Sequence, residues 1–200
     1  MPAGFFDLQV NGYAGVDFNS DRLSAAHLHR ACARLAAHGV QGFLATVVTD
    51  HLERMAARLR RLVRLREADT LARQMIAGWH VEGPFLNPRP GYRGAHPREF
   101  IRPAAWDAMQ RLLEAGAGLV RIVTLAPECD AGCRVIRRLA AAGITVAAGH
   151  TDATREQLAA AADAGLTLFT HLGNGCPLAL PRHDNIIQRA LSLRDRLRFT

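Results

Sequence analysis

Lysine is absent from this chain. All 25 basic side chains are arginines, set against 18 acidic ones, for a formal net charge of +7 over 200 residues. Alongside heavy alanine use, that absence reads as biased coding rather than selection for a polyanion-binding surface. The densest basic stretch (Arg58, Arg60, Arg61, Arg64, Arg66) is interleaved with Leu52, Met55, Leu59, Leu62 and Val63, which share one helical stripe. It reads as a solvated outer helix face, and no nucleic-acid partner is expected. Cysteine is scarce as well: Cys32, Cys129, Cys133 and Cys176 form no C-x-x-C pair, which excludes a zinc knuckle or a thioredoxin-type site. Four such thiols suit a reducing compartment. No apolar run approaches the ~20 residues of a membrane span. The start, Met1-Pro2-Ala3-Gly4, lacks the positive region of a signal peptide. A cytoplasmic protein without a membrane partner is the expectation.

A dinucleotide fingerprint is missing too. The first apolar run leads into Gln9-Val10-Asn11-Gly12-Tyr13-Ala14-Gly15, which lacks the G-x-G-x-x-G spacing of an open nucleotide-binding sheet. What is present is 49% hydrophobic residues, enough for one domain with a real core. One pattern recurs: a helix-like segment rich in Ala, Leu and Arg ends in Gly, and an apolar run follows. Gly39, Gly116, Gly143 and Gly165 mark these junctions and read as helix C-caps leading into strands. Ser20 or Asp21, Asp50, and Thr151 or Asp152 read as N-caps, and Pro103 suits a first helical turn. The spacing predicts strands near 5–10, 42–48, 76–81, 119–124, 145–149 and 167–171, with a seventh beginning near Leu197. The runs are continuously apolar, as in a parallel sheet buried on both faces. Polar residues follow nearly every run (Gln9 and Asn11, Thr49, Glu82, His150, His171), the distribution a (β/α)₈ barrel produces. The expected fold class is therefore α/β, a partial TIM (β/α)₈ barrel with strands 1–6 and the start of strand 7. Residues 1–200 are expected to form one barrel domain of a longer architecture.

Three residues carry the chemistry. His150 and His171 close successive apolar runs about one strand–helix repeat apart, so their imidazoles stand on neighbouring strand ends. Glu82 closes an earlier run, and Gly83-Pro84 turns the chain away behind it. A carboxylate directly after a buried strand is costly unless it is paired or bound to a cation. The alternative for Glu82 is an ion pair with Arg89 or Arg93. One carboxylate and two imidazoles make a three-ligand zinc site with a fourth position open to water, the chemistry of metal-assisted hydrolysis. His27, His29, His38 and His51 sit in helical segments and are expected to have structural roles.

Five motifs, in order, cover essentially the whole chain. They are Phe6-Asp7-Leu8-Gln9-Val10-Asn11-Gly12, His80-Val81-Glu82-Gly83-Pro84-Phe85-Leu86-Asn87, Val123-Thr124-Leu125-Ala126-Pro127-Glu128, Gly149-His150-Thr151-Asp152-Ala153-Thr154 and Thr170-His171-Leu172-Gly173-Asn174. Together they resemble the signatures of N-acetylglucosamine-6-phosphate deacetylases, within the amidohydrolase superfamily. The resemblance implies a metal-dependent barrel enzyme that removes acetate from a phosphorylated amino sugar, with Glu82, His150 and His171 as metal ligands. The metal would be one divalent ion, Zn²⁺ first, with Fe²⁺, Co²⁺ or Mn²⁺ as alternatives. Gln9 and Asn11 stand where many amidohydrolases carry H-x-H for a second metal, which implies a single-metal site. Ala95 and His96 match a substrate loop; Asn174, Gly175 and Arg182 match residues that hold the sugar phosphate. The family's acid–base Asp belongs to strand eight, past residue 200, so no catalytic acid–base is assigned, and the family's small N-terminal β-domain is not represented. A homodimer is compatible with the family and with the unsealed strand edges of a partial barrel. The segment Gly173-Asn174-Gly175-Cys176 departs from the usual pattern. It leaves open another amidohydrolase of the cyclic-amidase type, while the unrepresented strand eight leaves open a fragment that binds metal or ligand without turnover.

Overall fold

The structure, a computed structural model, describes residues 4–200. The leader reading placed on Met1-Pro2-Ala3 lies outside those residues. By internal contacts the chain divides into two compact units. The first runs up to Val81 and takes in Gln110–Arg121; the second comprises Glu82–Met109 and Ile122–Thr200.

In the first unit, β1 (Phe5–Val10) runs parallel to β4 (Val40–Val48), with Phe5 opposite Val40 and Val10 opposite Ala45. Between them a small antiparallel hairpin pairs β2 (Gly12–Tyr13) with β3 (Val16–Asp17). Its two-residue turn places both Ala14 and Gly15 at positive φ, the hand that matches strand twist. Helix α1 (Ala25–Ala37) buries Leu28, Ala31, Cys32 and Leu35, a 3.6-residue stripe. Helix α2 (Leu52–Glu67) buries Met55, Ala56, Leu59 and Leu62, and the short α3 (Thr70–Met75) delivers the chain to β5 (Ile76–Glu82). The core of this unit centres on Trp79, fully buried, whose indole Nε1–H donates to the Gly116 carbonyl at 2.9 Å.

In the second unit, β6 (Val120–Leu125) continues from Ile122 and runs parallel to β7 (Thr145–Ala148). β7 runs parallel to β8 (Leu166–Phe169), and β8 to β9 (Arg198–Phe199). The helices are α4 (Trp106–Ala115), whose residues from Gln110 on count with the first unit, α5 (Arg134–Ala141), α6 (Arg155–Asp163) and α7 (Ile186–Leu191). Buried Asp130 anchors α5, accepting from the backbone N–H groups of Arg134, Val135 and Ile136.

Strand order in the seven-stranded sheet is β1-β4-β5-β6-β7-β8-β9. Successive strands are therefore neighbours, joined by helical crossovers. This is the connectivity of a (β/α)₈ barrel as far as its seventh strand, and the fold class is α/β. Strand positions agree with the sequence expectation to within two residues. The hairpin was not anticipated, because two-residue strands carry no periodic signal.

The caps differ more. Helix α1 starts from Ser24, whose Oγ accepts from His27 N–H; Ser20 instead accepts from Arg22 N–H, and Asp21 pairs with Arg58. Helix α2 has His51 at its N-cap without a side-chain bond, while Asp50 pairs with Arg58 at 2.7 Å. Helix α6 starts from Thr154 in a reciprocal capping box with Gln157, since Thr151 and Asp152 have tertiary partners. Helix α4 begins at Trp106, not near Pro103. Gly116 is not a left-handed cap; Ala117 and Gly118 take that conformation, and a Cβ on Gly116 would meet Val120 at 2.6 Å and Trp79 at 3.2 Å.

Among the described residues no helix is long and apolar enough to cross a membrane. All four cysteines are free thiols.

Candidate metal centre

The centre lies wholly within the second unit. β5 ends in Glu82, and Gly83, at φ 84°, turns the chain while its N–H donates to the Thr124 carbonyl. After β7, Gly149 lies so close to Thr124 that a Cβ would stand 2.6 Å from its methyl. His150 follows at φ 51°, and after β8 and Thr170, His171 takes φ 35°. Both histidines adopt the left-handed backbone that imidazole residues tolerate better than most. Both side chains are thereby folded back toward Glu82.

One ligand atom from each of Glu82, His150 and His171 lies within 4.8 Å of the other two. Glu82 Oε1 is 2.8 Å from His171 Nε2 and 3.3 Å from His150 Nε2. Glu82 is 2% exposed and His150 6%. Arg89 and Arg93, the alternative partners for Glu82, go elsewhere: Arg89 pairs with Asp152, and Arg93 donates to the His96 carbonyl.

A fourth group joins these three. His96 Nε2 lies 3.2 Å from His150 Nε2 and 3.8 Å from Glu82 Oε2. Burial, followed by the neighbouring His150 imidazole, pushes the His96 pKa down to about 4. His96 Nδ1 and His171 Nδ1 are buried without a hydrogen-bond partner.

The donor set fits a cation. His150 Nδ1 lies 2.9 Å from the Tyr92 carbonyl, which can only accept. Nδ1 therefore donates to that carbonyl, which leaves Nε2 on the side of Glu82. A ligating histidine is held in this way, through its other nitrogen, by a backbone carbonyl. Glycines admit the enclosing loops: a Cβ on Gly94 would lie 3.0 Å from His150 Cε1, and one on Gly175 2.9 Å from His150 Nδ1.

The remaining expected site residues are distributed as follows. Ala95 is exposed beside buried His96. Asn174 is exposed, and its N–H donates to the His171 carbonyl; Gly175 backs onto His150. Arg182 is exposed on the loop before α7, and its carbonyl accepts from Gln188. Half-buried Gln9 and exposed Asn11 belong to the first unit, at the end of β1. Among the helical histidines, His29 pairs with Asp69 and His38 meets the Tyr13 hydroxyl.

Sequence reasoning did not pick out the group behind the centre. Glu128 accepts from Asn87 Nδ2 at 2.8 Å, from Asp152 N–H at 2.7 Å and from the Thr151 hydroxyl. Asp152 in turn takes Arg89 at 2.7 Å and Arg189 at 3.1 Å. Asn87 and Glu128 both fall inside the recognised motifs, so that signal was present. The Tyr92 carbonyl is backbone and leaves no trace in residue type.

Connectivity and donor set together define an α/β barrel-type chain with a candidate metal centre at its strand ends. No protein-family model matches the chain. Curated proteins do: it is 33% identical over 192 residues to the N-acetylglucosamine-6-phosphate deacetylase of Bacillus subtilis (strain 168), covering 94% of this chain and 47% of that protein. It is 33% identical over 171 residues to the N-acetylgalactosamine-6-phosphate deacetylase of Escherichia coli O157:H7, covering 86% and 44%. Among solved structures, a mutant N-acetyl-D-glucosamine-6-phosphate deacetylase from Mycobacterium smegmatis, in complex with N-acetyl-D-glucosamine-6-phosphate, superposes with a TM-score of 0.84 at 35% identity; the match covers 98% of this chain and 49% of that one. The chain spans about half the length of the curated relatives it matches.

Proposed function

We propose that this chain carries the metal-binding part of a hydrolase that removes acetate from N-acetylglucosamine 6-phosphate or a related N-acetyl amino sugar phosphate. The observation that supports this most directly is the convergence of Glu82, His150 and His171, with ligand atoms within 4.8 Å of one another. These three residues would hold one divalent cation. Zn²⁺ best matches a carboxylate and two imidazoles, with Fe²⁺, Co²⁺ and Mn²⁺ as alternatives. When bound, such an ion lowers the pKa of water to about 7 and polarises a carbonyl oxygen.

The chain's own groups do the rest. Glu82 brings the negative charge, and His150 presents Nε2 because Tyr92 holds Nδ1. Ala95 and His96 are assigned to a loop against the substrate. Asn174, Gly175 and Arg182 are assigned to the sugar phosphate, for which a guanidinium fork is suited. Gln9 and Asn11 replace the H-x-H of two-metal relatives, so one ion suffices. No described residue is given the acid–base role. Asp184 is not a candidate: the Arg189 guanidinium hydrogen-bonds to it and holds its carboxyl below the usual range. Residues 1–200 correspond in this reading to a barrel domain through its seventh strand. The setting is cytoplasmic, in keeping with four free thiols. The assembly is a homodimer, which light scattering tests.

Elemental analysis of the purified chain is expected to find one equivalent of divalent metal. Glu82→Ala, His150→Ala and His171→Ala should each abolish it, and a variant that keeps full occupancy removes that residue from the site. Acetate release from the two acetylated sugar phosphates, set beside hydrolysis of a cyclic amide, tests the substrate class. Turnover of the cyclic amide alone would move the reading to the cyclic-amidase branch.

A further inference from the structure

We propose that Glu128 is a positioning residue that fastens the loop behind Glu82 to the loop that begins with His150. The inference rests on the metal-hydrolase reading above, and it concerns a residue which that reading leaves without a role. Glu128 lies just past the end of β6, between the two strands that deliver Glu82 and His150. Its carboxylate accepts three hydrogen bonds. Asn87 Nδ2 reaches Oε1 at 2.8 Å from the Glu82 loop. Asp152 N–H reaches the same oxygen at 2.7 Å from the His150 loop, and the Thr151 hydroxyl donates to Oε2. The two loops are also joined directly, Asn87 N–H donating to the His150 carbonyl at 3.0 Å. Thr151 is fully buried and Asn87 6% exposed, so removing their common acceptor strands polar groups where water cannot easily replace it.

Two features of this arrangement fix its chemistry. All three partners donate to it, and of these only the Thr151 hydroxyl can accept instead, so an acceptor of glutamate length is what the pocket takes. The bonds lead to the chain that follows each of two proposed ligands, Asn87 after Glu82 and Thr151 and Asp152 after His150, so Glu128 acts on where Glu82 and His150 stand, not on the substrate. Outer groups that orient metal ligands typically change metal affinity by about 10–100-fold when removed.

The test uses the 200-residue chain with Co²⁺ as the probe, following its visible absorption, together with amide hydrogen exchange on metal-free protein. Glu128→Ala is expected to weaken Co²⁺ binding by about tenfold or more and to alter the absorption band. Exchange at the Asn87 amide should rise by on the order of tenfold, since that N–H reports the loop-to-loop bond. Glu128→Asp, which keeps the charge but is one methylene short, should behave like Glu128→Ala and covers the case in which alanine prevents folding. Glu128→Gln keeps the reach and an acceptor, and should restore both readouts to within about threefold of wild type. Wild-type Co²⁺ affinity and wild-type Asn87 exchange in both the Ala and Asp variants would overturn the assignment. A wild-type chain that takes up no Co²⁺ sinks the metal reading instead, and the exchange at Asn87 then decides the loop clamp by itself.

Discussion

Trp79 combines a large apolar body with a polar tip that must find an acceptor. The ring is fully buried and its Nε1–H donates to the Gly116 carbonyl, which a side chain at position 116 would obstruct. Trp79→Phe removes one of that carbonyl's two donors, the other being Leu119 N–H at 3.0 Å, and opens a small cavity. The two effects together should destabilise the chain by about 2–3 kcal/mol in urea unfolding. A change under about 0.5 kcal/mol would mean the site collapses around the smaller ring. Gly175 makes a similar argument at the candidate centre. A Cβ there would meet His150 Nδ1 at 2.9 Å and the His150 backbone nitrogen at 3.0 Å, so either the loop or the imidazole has to move. Gly175→Ala is expected to weaken metal binding by on the order of tenfold, because Nδ1 then loses its geometry toward Tyr92. Unchanged affinity would show that the loop alone gives way. Glu82, His150 and His171 were legible in the sequence because each closes a strand-like run. The contribution of Tyr92 was not, because it is made by a carbonyl, and any residue has one.

Among the elements, α6 is the clearest case of local chemistry deciding where a helix begins. Thr154 Oγ1 accepts from Gln157 N–H, and Gln157 Oε1 accepts from Thr154 N–H. Thr154→Ala should cost about 1 kcal/mol in chemical denaturation, and Thr154→Ser should recover most of it. Equal loss in both variants would mean the threonine methyl matters rather than the hydroxyl. The strands were readable because their apolar runs and the glycines at 39, 143 and 165 agree on the same junctions. The N-caps were not, and the reason is competition. Asp50 and Asp21 serve Arg58, Thr151 serves Glu128, and Asp152 serves Arg89 and Arg189. A capping residue is visible in sequence as a residue type. Whether its oxygen is free to cap depends on what the folded chain brings near it, which no local window contains.

At the scale of the whole molecule the question is what +7 does when every cation is an arginine. Charge alone would favour a polyanion, and the densest arginine stretch lies on α2. Three of its five guanidinium groups are already engaged: Arg58 by Asp21 and Asp50, Arg61 by the Ser20 carbonyl, and Arg66 by Glu67 and the Ile76 and Arg73 carbonyls. Only Arg60 and Arg64 of the five are exposed. The helix is thus less an open solvated face than the sequence suggested, and its arginines staple α2 to the chain beside it. Phosphate tracking needs many guanidinium groups free to release counterions, and affinity falls steeply with salt when they do. A fluorescence anisotropy titration of a short DNA duplex at about 0.15 M salt should therefore not saturate below about 10 μM protein. Saturation in the nanomolar range, with a steep loss on added salt, would show that these arginines exchange their internal acceptors for phosphate, and the structural role given to them here would have to be abandoned.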